Sequence, residues 1–366
     1  MTSVEIYLEL LRAGLWNRPA VVSGSARITE IVELASKQNT LPIVYKAILE
    51  GTSVMLQPKT LENMNKVLQR CESSHHAANT VIAYVFSELG KAEITPVLLK
   101  GQGIASWYPV NNIRTPGDID LYVREFDDSR MILEQLFGPV TEEGTKHVTF
   151  HIGGTLDLEL HRFTEILPDK KANEYYQSIS DEGTSNNLSA VSLDGSMVYT
   201  PEDTFNAFYI FHHLWNHVKS MGMGMRQLCD WSMLLNSHQG KLDLPRLEGY
   251  LRNMNLMDVW QVFGCAAVQA LDLSSEVVPF YDESKAKRGA KLVDFFLAQG
   301  DNLDFKHGRG GQSALKHKTG SLQFIHRRLR MMFPIFPGKA LLQYVRDVKN
   351  GLLKLVKAGA ADLGGE

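Results

Sequence analysis

The stretch Asp118-Ile119-Asp120-Leu121-Tyr122-Val123 constrains this chain more than any other. Its residues alternate in character. As a strand it puts Ile119, Leu121 and Val123 on one face and Asp118, Asp120 and Tyr122 on the other. The apolar face marks a central strand packed on a core. The two carboxylates opposite then need a cation or polar partners, because an unpaired buried charge is costly.

The surroundings support a small sheet. Ile94 to Leu99 reads as a short buried strand that runs into Lys100-Gly101-Gln102-Gly103, a turn able to bring backbone amides near an anion. Ile104 to Tyr108 reads as a short helix, and Thr115-Pro116-Gly117 as loop. A helix is expected over 127–137. His147 to Ile152 and Leu156 to His161 read as strands joined through Gly153-Gly154. Residues 180–197 are polar and rich in Gly, Ser and Asn, which suggests a loop.

The flanks are helical. Leu61, Met64, Leu68 and Cys71, then Ala77, Val81, Val85 and Leu89, keep near-helical spacing over 59–91. From Pro201 the chain reads helical to about Leu271. Residues 299–321 suggest a linker, followed by an amphipathic basic tail. Three units are therefore expected: helical 1–93, an α/β core 94–200, and a helical 201–366 with its tail. The fold class is α+β, a small mixed sheet flanked by N-terminal helices and a C-terminal helical domain.

Bulk properties exclude several classes. The three cysteines, Cys71, Cys229 and Cys265, lie far apart and show no CxxC pairing, so neither a zinc ribbon nor a disulfide framework is expected. No run approaches the roughly 20 apolar residues of a membrane span. The first residues lack a basic stretch followed by an apolar one. A cytoplasmic location is the expectation. The net charge of −3 hides an asymmetry, since residues 312–358 carry +9 and leave −12 for the rest. Such a tail suits nucleic acid, an anionic membrane surface, or the protein's own acidic body.

Carboxylates at i and i+2 of a strand share a side and can bridge two divalent ions held roughly 3.5–4 Å apart. Asp118 and Asp120 fit that requirement. A neighbouring strand usually supplies a third acid. Glu159 is the best candidate, with Asp157 the alternative on the same face. Such pairs also arise by chance on solvated strands. Here the apolar embedding, the preceding Lys-Gly turn and the second acidic strand favour a site.

In combination, Leu98-Leu99-Lys100-Gly101, Tyr108-Pro109, Arg114 and Gly117-Asp118-Ile119-Asp120-Leu121 closely resemble an uncharacterised bacterial nucleotidyltransferase family, nucleotidyltransferase family 5, of the DNA polymerase beta-like superfamily. The resemblance continues through Glu159-Leu160-His161-Arg162, His213, His217 and the segment from Met225 to Trp231, over roughly residues 30–240. It implies that Asp118, Asp120 and Glu159 hold Mg2+ (or Mn2+). It also implies that Gly101, Gln102 and Gly117 shape the nucleotide turn, and that Lys100 and Arg114 neutralise phosphate. His161, His213, His217 and Arg226 would line the nucleotide site. The implied reaction transfers a nucleoside monophosphate from a nucleoside triphosphate to an unidentified acceptor, which could be a small molecule, a protein or RNA. One departure is the Gln102 that follows Gly101, where many superfamily members have serine or glycine. It motivates a non-catalytic nucleotide-binding alternative. The basic tail motivates another, a toxin–antitoxin or defence protein that kept the fold.

Other residues carry plain readings beside functional ones. His213 and His217, at i and i+4, suit either a packed interface or a cleft wall. The Glu of a zinc-binding HExxH is absent from His213-Leu214-Trp215-Asn216-His217. Arg226 and Asp230 suit an intrahelical ion pair, or Asp230 could serve as general base for the acceptor. In the tail, Phe333, Ile335, Phe336, Leu341 and Leu342 offer an apolar face for an anionic surface.

Overall fold

The computed structural model describes residues 1–23, 27–51, 57–154, 156–220, 224–299 and 325–362. Thr2 starts helix α1 (Ser3–Leu15) in a reciprocal capping box with Glu5. Helices α2 (Ile28–Lys37) and α3 (Leu41–Gly51) follow. Helix α4 (Pro58–Gly90) opens with proline in its first turn, where a missing N–H costs nothing, and runs for 33 residues. Its buried residues keep helical spacing, but they serve two cores. Met64 joins the main helical cluster, whereas Ala78, Ile82, Val85 and Leu89 pack beneath the sheet.

The main sheet has five strands: β1 (Val97–Leu98), β2 (Ile119–Tyr122), β3 (Glu142–Glu143), β4 (His147–Ile152) and β5 (Leu156–His161). Their order is β1-β2-β5-β4-β3. Only the β2–β5 pair is parallel. Between these strands lie α5 (Gln102–Ala105) and α6 (Phe126–Phe137). Ile119, Leu121, Leu158, Leu160, Val148 and Phe150 cover one face and pack with Phe126 and Leu133 of α6. Period-two alternation leaves the acids on the other face, as the sequence pattern requires.

Helix α7 (Lys170–Gly183) leads to a separate hairpin, β6 (Ser189–Leu193) and β7 (Ser196–Thr200). The loop expected over 180–197 is thus corrected. Asp194-Gly195 closes the hairpin with both residues at positive φ, 48° and 89°, the conformation a two-residue turn favours.

The remaining helices are α8 (Asp203–Ser220), α9 (Met225–Ser237), α10 (Leu244–Asn253), α11 (Met257–Leu271), α12 (Ala286–Gln299), α13 (325–332) and α14 (Pro337–Asp362). Trp231 and Trp260 meet edge to face at 4.8 Å in the middle of this layer, with Phe211 and Phe263 around them. The N-terminal helices share this core. Arg12 donates to the Ala270 carbonyl at 2.9 Å, and Gln38 donates to that of Phe296 at 2.9 Å. Among the described residues, both flanking segments therefore contribute to one continuous apolar cluster, which also takes in Val97, Leu99 and Tyr122 of the centre. The linker expected over 299–321 lies outside the described residues, apart from Gln299 at the end of α12.

Candidate active site

Parallel pairing sets Asp120 directly beside Glu159, and Tyr122 beside His161. Neighbouring strands lie about 4.8 Å apart, so the two carboxylates share one side of the sheet. Asp118 stands two residues before Asp120, at the mouth of β2, and is exposed. Asp120 is only 6% exposed. Asp118 accepts no hydrogen bond from the described residues. Although its side chain reaches solvent, the protein crowding around it, then the charges of Asp120 and Glu159, raise the Asp118 carboxyl above the usual range, and Lys100 opposes this.

Lys100 follows β1, which is antiparallel to β2. Its ammonium lies 2.8 Å from Asp120 Oδ1. Burial alone would raise Asp120. Lys100 and the His161 hydrogen bond outweigh it and hold that carboxyl well below the usual range. Gly101 makes the turn possible. It sits at φ 58° and ψ −110°, and a Cβ there would meet the Asp118 carbonyl at 3.2 Å. Only glycine takes that backbone shape without strain.

His161 is fully enclosed. Its Nε2 reaches Asp120 Oδ1 at 3.0 Å and Glu159 Oε2 at 3.1 Å. His147, its cross-strand partner on β4, stacks against it with centroids 4.9 Å apart. His147 Nδ1 lies 3.4 Å from Glu159 Oε2 without forming a hydrogen bond. Burial lowers the His147 ring, and the charge of Glu159 opposes that shift.

Helix α8 faces these groups. Burial, then the charges of Asp120, Glu165 and Glu159, push the Tyr209 phenol well above its usual range. Burial, then Lys100 and His217, hold His213 well below the ordinary histidine range, so it is neutral at pH 7. The rings of His213 and His217 touch, Nε2 to Nε2, at 2.9 Å. Tyr209 and His213 of α8 thus lie close enough to the acidic sheet face to feel its charges.

Three expected nucleotide contacts, Arg114, Gln102 and Arg226, and the candidate base Asp230 have partners within the fold. Arg114, 5% exposed, places Nε 2.8 Å from Asp230 Oδ1 and Nη2 3.0 Å from Oδ2. Tyr108 donates to the same Oδ1 at 2.7 Å. The Arg114 guanidinium thus lies against a carboxylate, and both oxygens of Asp230 accept hydrogen bonds. Arg114 also supplies its carbonyl to His75 Nε2 at 2.6 Å. Gln102 turns into the body and donates to Asn79 Oδ1 at 2.7 Å. Arg226 donates to the Thr115 carbonyl at 3.2 Å. A Cβ at Gly117 would lie 3.7 Å from its Nη1. Arg226 thus braces the loop that delivers Asp118. Asp157 pairs with His151 at 2.6 Å on the exposed end of the hairpin, which leaves Glu159 as the third acid beside Asp120.

Sequence reasoning missed His147 and Tyr209. A signal for His147 existed. The hairpin register that sets Ile152 opposite Leu156 necessarily sets His147 opposite His161. Tyr209 had none, because only the docking of α8 brings it to the sheet.

The profile of a family described as an uncharacterised nucleotidyltransferase matches residues 24–269. Among curated proteins, none matches. Among solved structures, this chain is similar to an antigenic nucleotidyltransferase-like protein from Paracoccidioides brasiliensis. That match has a TM-score of 0.34 and 14% identity, covering 56% of this chain and 94% of the other.

Proposed function

This chain belongs to the uncharacterised nucleotidyltransferase family, and on that premise we propose that it moves a nucleoside monophosphate from a nucleoside triphosphate to a hydroxyl acceptor. The observation that carries the reading is that Asp120 and Glu159 stand side by side on one face of the β2–β5 pair, with Asp118 at the mouth of β2. Three carboxylates against one ammonium, with Asp118 free of hydrogen-bond donors among the described residues, fit a hard divalent cation such as Mg2+ or Mn2+. Asp118 and Asp120 would hold it. When bound, such an ion supplies positive charge against the phosphate oxygens.

The chain's own residues do the rest. Lys100 stays protonated, because Asp120 raises its pKa despite the burial that opposes this. It fixes the Asp120 carboxylate and places positive charge at the phosphate side of the cleft. Gly101 keeps the turn backbone open to a close approach. Tyr209 and neutral His213 offer a polar but uncharged opposite wall, which suits a sugar or base edge. The acceptor oxygen attacks the α-phosphate in line and pyrophosphate leaves. Arg114 and Asp230 act indirectly, by fixing the loop ahead of β2.

One observation favours a second reading. With Gln102 bonded to Asn79, the turn offers phosphate no side-chain donor besides Lys100. A non-catalytic nucleotide binder would need no more, and it would bind nucleotide without releasing pyrophosphate. Incubation with each α-labelled nucleoside triphosphate, Mg2+ and a cell extract separates the two. A labelled product supports transfer, and bound but unconverted nucleotide supports the binder.

The tail suits an anionic surface. In α14, Ala340 is buried, Tyr344 meets His326 at 3.2 Å, and Asp347 pairs with Arg328. That face packs on the body. Leu341, Leu342 and Val345 point away from it, 52%, 67% and 57% exposed, with Arg346 and Lys349 exposed beside them. Outward aliphatic residues flanked by bases fit the interface of an anionic bilayer. No described helix is long and apolar enough to cross one.

A further inference from the structure

We propose that His147, Glu159 and His161 form a mixed nitrogen–oxygen metal site, beside the Asp118–Asp120 pair, that takes a borderline transition-metal dication such as Zn2+ in preference to Mg2+. The inference deepens the transferase reading and rests on it in one respect, because it reassigns Glu159 within the same cleft.

The spacing of the donor atoms is the first argument. Glu159 Oε2 lies 3.1 Å from His161 Nε2 and 3.4 Å from His147 Nδ1. The three donor atoms all fall within 4.8 Å of one another. Ligands bonded to one ion at about 2.0–2.1 Å, at tetrahedral or octahedral angles, stand roughly 3.0–3.4 Å apart. Both separations from Glu159 already match those a shared ion would impose.

The second argument is an atom without a task. His147 Nδ1 is buried and forms no hydrogen bond, although it faces the Glu159 carboxylate. Buried polar nitrogens are nearly always partnered, so this one calls for an explanation. An ion between His147 and Glu159 would supply it.

The third argument is the orientation of His161. Its Nδ1 faces the Phe163 carbonyl at 3.4 Å. A carbonyl only accepts, so Nδ1 carries the hydrogen in that contact. Nε2 points at two carboxylate oxygens and donates to them, so an ion taking the place of that hydrogen would find Nε2 already aimed at it. A backbone carbonyl behind a ligating imidazole is the usual way a metal-binding histidine is oriented. Asp120 Oδ1, 3.0 Å from the same Nε2, would lie at the border between the two sites.

The donor chemistry decides the class of ion. Mg2+ prefers an all-oxygen shell, whereas two imidazoles with one carboxylate suit zinc, cobalt and their neighbours. The chain would then hold two unlike cations, a hard one at Asp118 and Asp120 and a softer one at the histidines.

The test uses the full chain stripped with a chelator. Zn2+ binding is followed by titration calorimetry, and the zinc-loaded wild-type protein is measured by zinc-edge X-ray absorption. We expect one Zn2+ bound through two imidazoles. His147→Ala should weaken binding by more than about tenfold, whereas Asp118→Ala should keep it. Equal Zn2+ affinity in wild type and His147→Ala, or a shell of oxygen ligands alone, overturns the proposal. The absorption measurement needs no variant, so a misfolded His147→Ala leaves the proposal open to refutation. Mg2+–ATP binding in the same samples separates the two readings. Nucleotide binding without the zinc site sinks only this inference, and zinc without nucleotide binding sinks only the transferase reading.

Discussion

Arg114 holds Asp230 through two N–H···O bonds of 2.8 and 3.0 Å, joining the loop before β2 to helix α9 across 116 residues of sequence. Both side chains are almost wholly buried, and Tyr108 adds a third bond to the carboxylate. Removing one partner of such a pair strands the other charge. Arg114→Met should therefore cost about 3–5 kcal/mol of unfolding free energy. Denaturant titration measures it. A loss below about 1 kcal/mol, the size of a surface pair, would contradict the structural role given to this pair.

Gly101→Ala tests the turn. The positive φ and the 3.2 Å approach to the Asp118 carbonyl both penalise a Cβ. Strain of about 1–3 kcal/mol is expected, borne by the segment that carries Asp118. The circular dichroism of the variant should match wild type, while Mg2+–ATP binding weakens on the order of tenfold or more. Unchanged nucleotide affinity would show that the turn does not shape the site.

The Lys100–Asp120 pair makes a pH prediction. Asp120 titrates well below its usual value in the folded protein, so the stability it contributes is present above the unfolded value, about 3.9. That contribution is lost as pH falls towards the folded value. Wild type should be more stable than Lys100→Met at neutral pH, and the gap should narrow below about pH 4. A gap that widens in acid would contradict the assignment of Lys100 as the partner of Asp120.

How much of this was legible in the sequence depends on how local each signal is. The β4–β5 hairpin and the acid–apolar alternation of β2 follow from nearest neighbours, and both appear at the expected residues. Asp120 and Glu159 are neighbours because one parallel pairing suffices, and Asp118 falls at the mouth of the same strand. The partner of Asp230 was not readable. Arg226 is four residues away on the same helix, whereas Arg114 arrives only through tertiary docking. The β6–β7 hairpin was missed because its serines and its turn outweigh its few apolar residues, although Asp194-Gly195 is itself a turn signal.

The tail offers an independent test. Leu341→Gln, Leu342→Gln and Val345→Gln together should leave the fold intact, since all three side chains are exposed. Sedimentation with phosphatidylserine vesicles should fall sharply, and raised salt should weaken wild-type binding through screening. Vesicle binding that survives the triple change would remove the outward face of α14 from the account.

The most direct measurement compares α- and γ-labelled nucleoside triphosphates with purified wild type and Asp120→Asn, in the presence of Mg2+ and cell extract. The account predicts that the α-label passes to an acceptor, that the γ-label leaves as pyrophosphate, and that both events stop in Asp120→Asn. Transfer of the γ-label to the acceptor, or α-label transfer undiminished by the substitution, would contradict it.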